Sequence, residues 1–249
     1  MNPIFASTDN RRFCIRLLVI LCVLFLSSPF VSASEIRRQE LGRHLHQITS
    51  DRQLSVEQKQ TLLLAGAKND QERAWLMYRW VINHFEHDAR LARSIGDPGN
   101  HSLNSLFEAG GGSCALFANV LHRLLHEAGL EVKTIYGIAK GGASVSMRNG
   151  VPANHVWNLV KIGGVWHLMD STWGAGYVDR AGFQREPTDL FFMVPPQRAV
   201  LSHFDPADQD GYQAMLNVDQ SKFRKITDDA TYVAAVGFDA ESILRFQAN

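Results

Sequence analysis

The hydrophobic pattern of this chain changes its period near Gly129, and this change restricts the fold more than any other feature. Before it, apolar residues recur at helical spacing over residues 70–85 and 115–128. After it, the period becomes two, which is the spacing of strands. The predicted strands are residues 131–139, 154–162 and 165–173. Helices followed by neighbouring strands favour an α+β domain in which helices pack on an antiparallel sheet.

The remaining stretches set the predicted domain boundaries in this chain of 249 residues. Residues 34–69 are polar with scattered apolar positions, which predicts an N-terminal helical extension. Residues 70–249 are predicted to form one domain, since no clear linker interrupts them. Its part after about residue 180 contains prolines and is expected to be irregular, with a short closing helix near 240–247.

The N-terminus has the layout of a secretory signal peptide. Arg11, Arg12 and Arg16 precede an apolar core at residues 17–26, and small residues follow up to Ala33. The core is shorter than the about 20 apolar residues that a helix needs to span a bilayer. We therefore expect residues 1–33 to be removed, with export to the periplasm or the medium. An uncleaved membrane anchor is the alternative.

The charge balance excludes two classes of partner. Lys and Arg together number 25, as do Asp and Glu, and removal of residues 1–33 leaves a slightly acidic chain. Such a chain has no general attraction to nucleic acid or to an anionic membrane surface. We expect neither nucleic acid nor, after signal cleavage, a membrane as a stable partner.

Cys114 is the cysteine that remains, because the other two lie in the predicted signal peptide. It follows the run Gly110–Ser113 and opens a predicted helix, with Ser113 as a plausible N-cap. The positive end of a helix dipole and its unpaired N–H groups favour a thiolate. Gly112 and Ser113 would then border the substrate, and the N–H of Cys114 is the first candidate to stabilise an oxyanion. The alternative is a buried, inert cysteine after a flexible loop.

A histidine and an aspartate are predicted to meet on the sheet. Gly163-Gly164 suits a two-residue hairpin turn, which pairs Ile162 with Val165. His155 and Asp170 then become diagonal neighbours on one face, with Cβ atoms roughly 7–8 Å apart. A three-residue loop would instead place them on opposite faces, so the prediction depends on the register.

The same register sets His155 opposite Thr172 and Trp157 opposite Asp170. Trp157 and Trp173 therefore flank the pair. They either shield it from water or belong to the core, and the sequence leaves both interpretations open.

These residues carry a resemblance to the transglutaminase-like superfamily, nearest to the kyphoscoliosis-peptidase type. It covers about residues 70–225. Family members often carry an aromatic residue sooner after the cysteine and a Trp-Gln where this chain has Tyr212-Gln213. The matching stretches are Gly-Gly-Ser-Cys114-Ala-Leu-Phe-Ala, Ala128-Gly-Leu, Asn154-His155-Val-Trp157-Asn158, Val165-Trp166-His-Leu-Met-Asp170-Ser-Thr-Trp173-Gly, Phe191-Phe192-Met193-Val194-Pro195-Pro196 and His203-Phe204-Asp205-Pro206.

The resemblance implies a papain-like core with Cys114 as nucleophile, His155 as general base and acid, and Asp170 as the residue that orients the histidine. Residues 70–249 would then be a catalytic domain that cleaves an amide bond of a peptide or protein through an acyl-enzyme, without a cofactor or metal. Three alternatives stay open: acyl transfer to an amine, a binding or scaffold module without turnover, and, more distantly, a zinc amidase.

Overall fold

The computed structural model describes residues 32–140, 145–148, 150–208 and 212–217. The chain divides after Gly42 into two compact units, Met1–Gly42 and Arg43–Asn249. Helix α1 (Ala33–Ser50) begins in the first unit. Within the described residues, no helix combines the length and apolarity needed to cross a bilayer. Residues 1–31 of the predicted signal peptide lie outside the described residues.

Helices come first in the second unit. The predicted helical stretch before residue 69 is in fact two helices, because Ser55 ends the intervening turn and caps the second one through a capping box. The helices predicted at 70–85 and 115–128 are confirmed, each to within one residue at either end. The helices are α2 (Val56–Ala65), α3 (Asp70–His84), α4 (Ala89–Ile95), α5 (Leu103–Ala109) and α6 (Cys114–Glu127), with a 3-10 turn at Pro98–Asn100.

Helix α6 supplies a large part of the core. Its apolar face is buried along the whole length of the helix, from Leu116 to Leu125. Gly129 follows with a φ of 81°, a value that favours glycine. The N–H groups of Gly129 and Leu130 donate to the carbonyls of His126 and Leu125, which ends the helix.

Three short two-stranded pairs surround the main sheet. They are β1 (Glu86–His87) with β2 (Gly111–Gly112), β4 (Ser146–Arg148) with β5 (Val151–Ala153), and β8 (Gly176–Asp179) with β9 (Gly182–Arg185). The first pair is parallel and the other two are antiparallel. The first pair leads directly into helix α6, so it sets the position of that helix's N-terminus.

The main sheet is antiparallel and has four strands. Their order is β10 (His203–Phe204), β3 (Glu131–Ala139), β6 (His155–Ile162) and β7 (Val165–Met169). Ile162 pairs with Val165, so the predicted hairpin register is confirmed. Gly163 and Gly164 have φ values of 59° and 81°, which is why the two-residue turn requires glycine-like residues. Together with the helices, this sheet confirms the predicted α+β class.

The strand predicted at 165–173 is wrong beyond Met169. Asp170 has an extended backbone and caps a short helix, α7 (Ser171–Ala175), by accepting the N–H groups of Thr172 and Trp173. A carboxylate is a strong N-cap, so the local hydrogen bonds favour a helix start over further pairing. The predicted pairing of His155 with Thr172 is therefore not formed, since Thr172 lies within the helix.

The segment after residue 180 is more regular than predicted. It contains strand β9, helix α8 (Pro196–Ser202), strand β10 and helix α9 (Tyr212–Leu216). Pro196 stands in the first turn of α8, a position where a proline costs no helical hydrogen bond. The helix predicted near 240–247 lies outside the described residues.

The two faces of the sheet contribute to different clusters. Val156 packs with Cys114 and Ala118 of helix α6, whereas the neighbouring Trp157 belongs to the opposite cluster. That second cluster contains Ile135, Trp157, Leu159, Trp166, Leu168, Val194, Ala199 and Leu216. Gly137 of strand β3 permits this packing, because a Cβ there would overlap the Trp157 ring and the carbonyl of Phe204.

Candidate active site

Cys114 is the first residue of helix α6 and a free thiol that is 8% exposed. Strand β2 directly precedes it, and Asp88 N–H donates to the Gly112 carbonyl at 3.0 Å. Both glycines of β2 are buried. A Cβ on Gly111 would meet the Glu86 carbonyl, and one on Gly112 would meet Leu116. Internal packing therefore accounts for the lack of a Cβ at both positions.

Ser113 occupies the N-cap position of α6, as predicted, but its side chain makes no capping hydrogen bond. Its carbonyl instead accepts the N–H of Leu116 at 2.9 Å. The first N–H groups of a helix have no partner within the helix. The Ser113 side chain therefore leaves the first N–H groups of helix α6 uncapped.

His155 is the first residue of strand β6 and is 4% exposed. Its Nε2 donates to Oδ2 of Asp170 at 2.7 Å. The Cys114 thiol lies near the ring, because each of the two groups shifts the pKa of the other, and Nδ1 is the ring nitrogen that is not engaged with Asp170. The structure thus places His155 and Asp170 in direct contact, with the buried Cys114 thiol near the imidazole.

Asp170 is completely buried and accepts hydrogen bonds from four donors. Oδ1 accepts the two backbone N–H groups at the start of helix α7, at 2.9 and 3.0 Å. Oδ2 accepts Nε2 of His155 and, at 3.1 Å, Nε2 of His203. A buried carboxylate requires such partners, because an unpaired charge is costly away from water.

The electrostatics of the three groups favour a charged pair. Burial alone would lower the pKa of His155, but the charge and hydrogen bond of Asp170, with those of Cys114, raise it to about 10. Burial raises the pKa of Cys114, yet the hydrogen bond and charge of His155, and the charge of Arg148, bring it below its ordinary value. The two imidazoles outweigh burial at Asp170 and lower its pKa. The directions of these pKa shifts favour the ionised pair, a thiolate beside an imidazolium.

Two tryptophans contact the histidine. The Trp173 ring stacks on His155 with a centroid distance of 5.3 Å, and Trp157 lies at 6.2 Å. Trp157 is 1% exposed and belongs to the core, whereas Trp173 is half-buried. The two tryptophans therefore differ: Trp157 is a core residue, and Trp173 covers the imidazole from solvent.

Residues beside His155 hold the site in ways that the pattern did not reveal. The Asn154 amide bonds both backbone groups of Ala139, at 2.8 and 3.1 Å. The buried Asn158 amide donates to the Ala118 carbonyl of helix α6 at 3.1 Å. Both asparagines lie in the matching stretch around His155, so the resemblance was the available signal. They fix the histidine strand to strand β3 and to the helix that carries the thiol.

His203 is the principal site residue that the pattern missed. It comes from strand β10, is completely buried, and contacts Asp170 directly. His87 of strand β1 is close enough to be influenced by the site. Burial lowers its pKa, and the charge of His155 lowers it further. A two-residue strand carries no periodicity, so only the matching His203-Phe204-Asp205-Pro206 stretch pointed to this region, and it indicated no role for His203.

The ligand atoms of His155, Asp170 and His203 lie within 4.8 Å of one another, a spacing at which such groups could hold a metal ion. However, both imidazole Nε2 atoms are directed at one carboxylate oxygen at hydrogen-bond distance. This hydrogen-bonded arrangement accounts for the cluster, and the same nitrogens would have to turn away from Asp170 to bind an ion.

The sequence of this chain is similar to that of known proteins. A sequence model of the transglutaminase-like superfamily matches residues 58–171, starting inside the predicted helical extension. Kyphoscoliosis peptidase of Mus musculus is 30% identical over 145 residues, which are 57% of this chain and 22% of that protein. The Homo sapiens protein gives the same values. The chain therefore spans about a fifth of the length of these curated relatives.

A solved structure, titled "Crystal structure of a TGase", matches 64% of this chain and 38% of its own, at 17% identity. Its TM-score of 0.29 is too low to carry an argument. The sequence matches confirm the predicted resemblance: residues 58–171 match the transglutaminase-like superfamily, and the chain is similar to proteins of the kyphoscoliosis-peptidase type.

Proposed function

We propose that this chain is a cysteine hydrolase that cleaves an amide bond of a peptide or protein through an acyl-enzyme on Cys114. The observation that carries the proposal is the buried chain from the thiol through His155 to Asp170, with its 2.7 Å hydrogen bond. Nucleophile, base and orienting acceptor in contact are the arrangement that thiol catalysis requires. A scaffold has no need for a thiol with a lowered pKa beside a buried imidazole.

The reaction follows from the protonation state of the pair. The Cys114 thiolate attacks the carbonyl carbon, and the carbonyl oxygen becomes an oxyanion. His155 then transfers the Nδ1 proton to the leaving nitrogen as the carbon–nitrogen bond breaks, which releases an amine and leaves a thioester. A water molecule gives its proton to Nδ1 and attacks the thioester, so that the acid is released and the thiolate returns.

The oxyanion is assigned to the N–H groups at the start of helix α6. Ser113 leaves these groups uncapped, and the helix dipole adds partial positive charge at the same place. The N–H of Cys114 is the first donor in this assignment. In this assignment, Gly112 and Ser113, which precede Cys114 in the chain, border the reacting carbonyl.

The mature protein is proposed to act outside the cytoplasm, because the N-terminus has the layout of a signal peptide. The curated relatives are named peptidases, which favours a peptide or protein as the substrate. The slightly acidic chain is not proposed to bind nucleic acid, and no stable membrane contact is proposed after signal cleavage. The triad assignment itself requires neither metal nor cofactor.

A peptide library incubated with the protein, with and without a primary amine, is expected to yield hydrolysed products whose mass rises by one water for each bond cleaved. Mass spectrometry of the products measures this directly. Products that carry the added amine would instead assign acyl transfer, since both reactions share the acyl-enzyme. If neither product forms, and no thioester on Cys114 is detected, the chain is a binding module and the proposal is wrong.

Replacing His155 with glutamine is expected to slow the alkylation of Cys114 at neutral pH and to shift the midpoint of its pH dependence upward. Glutamine can still donate to Asp170 but carries no charge. Burial then dominates and raises the pKa of the thiol, so that less thiolate is present at neutral pH. The rate of iodoacetamide modification, followed by mass spectrometry across pH, measures the shift.

His167→Gln is the matched control for this change. His167 lies on strand β7 opposite Val160, and the alternation of the strand directs it to the face away from Trp166 and Leu168. Its replacement should leave the alkylation profile of Cys114 unchanged. An equally unchanged profile in His155→Gln would show that the thiol is not activated by this histidine.

A further inference from the structure

We propose that His203 is a positioning residue for the catalytic carboxylate, holding Asp170 from the side opposite His155. The inference rests on the proposed function, since it gives His203 a task in the chain of contacts that activates Cys114. It adds a fourth group to the three that the family motifs indicate. That group comes from strand β10, 33 residues after Asp170.

The first support is the geometry around Oδ2 of Asp170. Nε2 of His203 lies 3.1 Å from this oxygen, and Nε2 of His155 lies 2.7 Å from the same atom. A carboxylate only accepts hydrogen bonds, so each Nε2 must carry a proton. Two imidazole donors on one oxygen, with two backbone donors on the other, leave the carboxylate no free direction in which to rotate.

The second support is the hydroxyl behind His203. Ser202 Oγ lies 2.8 Å from Nδ1 of His203 and, at a longer 3.3 Å, from the Ala199 carbonyl. Burial, together with the nearby charge of His155, outweighs Asp170 and lowers the pKa of His203, which makes the neutral ring the favoured form. A neutral ring with its proton on Nε2 must accept at Nδ1, so the Ser202 hydroxyl turns its one proton to the nearer His203 ring rather than to the Ala199 carbonyl. Ser202 therefore selects the tautomer that faces Asp170.

The third support is the packing that fixes the ring itself. His203 is completely buried, and its ring lies 4.8 Å from Trp157 and 4.9 Å from Trp173. Asp170 and His155 are charged groups that act on the ring. A buried polar ring between tryptophans costs free energy unless its hydrogen bonds are used, and both ring nitrogens are used here.

The consequence for the reaction passes through Asp170. While the carboxylate is held toward His155, it stabilises the imidazolium, and the imidazolium stabilises the thiolate. Without the His203 donor, the carboxylate loses one of its four partners and its alignment with His155 weakens. Burial and the charge of Asp170 raise the pKa of the thiol, whereas His155 and Arg148 lower it, so His203 can favour the thiolate only through the effect of Asp170 on His155.

The test compares His203→Phe, which keeps a planar ring without a donor, with His203→Gln, whose amide can place an N–H near the position of Nε2. We expect His203→Phe to lower kcat about 10-fold to 100-fold per alkylatable Cys114 with little change in KM, and His203→Gln to restore most of the loss. The pH midpoint of Cys114 alkylation should rise in the Phe variant and return toward wild type in the Gln variant.

Alkylation needs no substrate, so it separates this inference from the proposed function. Absence of turnover in the wild type would reject the hydrolase proposal while the alkylation midpoints still test His203. Equal kcat per active site in wild type and His203→Phe, together with an unshifted midpoint, would overturn the inference. So would a Gln variant that is no better than the Phe variant, since a merely structural ring would show that pattern.

Two further variants keep the test decisive if His203→Phe does not fold. Ser202→Ala removes the hydroxyl that selects the tautomer and should raise the alkylation midpoint in the same direction, by less. His167→Phe places the same substitution on the same sheet outside the site and should leave the midpoint unchanged. A Ser202→Ala protein with the wild-type profile would contradict the role given to the His203 tautomer.

Discussion

Replacement of Cys114 by alanine is expected to abolish turnover, with kcat/KM falling by at least about 10⁴-fold, the order of loss that follows removal of a catalytic nucleophile. His155 cannot compensate, because without the thiol no nucleophile remains to form the acyl-enzyme. Steady-state kinetics measure the loss. Mass spectrometry should show a covalent acyl adduct on the wild type and none on the variant.

Cys114→Ser sharpens the same prediction. A serine hydroxyl has nearly the size of the thiol but ionises far less readily, so a pair that depends on a thiolate should remain inactive. The control replaces Cys14 and Cys22 together and leaves Cys114 as the thiol of the chain. That double variant should keep full activity. Substantial turnover in Cys114→Ala would instead assign the reaction to other groups.

Asp170→Asn is expected to lower kcat by about 10³-fold to 10⁴-fold, as when the orienting carboxylate of a comparable triad is replaced. The asparagine amide has one oxygen that accepts and one NH₂ group that cannot accept a hydrogen bond. In either orientation, the NH₂ group therefore faces donors, which are either the two imidazoles or the two backbone N–H groups. Breaking a buried charge pair should also reduce the free energy of unfolding by about 3–5 kcal/mol. Enzyme kinetics and urea denaturation measure the two effects.

The loss of stability in Asp170→Asn should depend on pH in a definite direction. Because the pKa of Asp170 is lowered in the folded protein, its stabilisation is present above the ordinary pKa of an aspartate. It disappears as the pH falls through the folded value. The free energies of unfolding of wild type and variant should therefore approach each other under acid conditions. A constant difference at every pH would contradict the ionised state of Asp170.

Asp88→Asn is the matched control, because Asp88 is also an N-cap that accepts two backbone N–H groups, from Arg90 and Leu91. Asparagine caps helices nearly as well as aspartate, so this change should cost little stability and little activity. If Asp170→Asn lost as little activity and stability as Asp88→Asn, Asp170 would act as a helix cap without a role in the reaction.

The sequence carried enough information to predict the centre of the site. A glycine run followed by an apolar helical pattern placed Cys114 at a helix N-terminus, because serine and glycine are among the residues preferred just before the first helical turn. The pair Gly163-Gly164 fixed the parity of the hairpin, and parity decides which side chains share a face. His155 and Asp170 followed from that parity, and their 2.7 Å hydrogen bond agrees with it.

Other parts of the site depend on interactions that the period-two pattern of apolar residues does not predict. Asp170 ends its strand by capping the next helix, and a period-two pattern continued past it up to Trp173. The Asp-Ser-Thr run was a local signal for a helix start that competes with this pattern. His203 could not be placed at all, since a two-residue strand far along the chain pairs with strand β3 only through tertiary contacts.

The sequence order of these elements bears on how the site forms during folding. Helix α6 and strands β3, β6 and β7 lie close together in the sequence, and contacts between near neighbours close at a small cost in chain entropy. The thiol, the imidazole and the carboxylate thus belong to one local folding unit. Strand β10 must return across a longer loop to the edge of β3 before His203 meets Asp170. We therefore expect the contacts among Cys114, His155 and Asp170 to form early in folding, and the contact between His203 and Asp170 to form later.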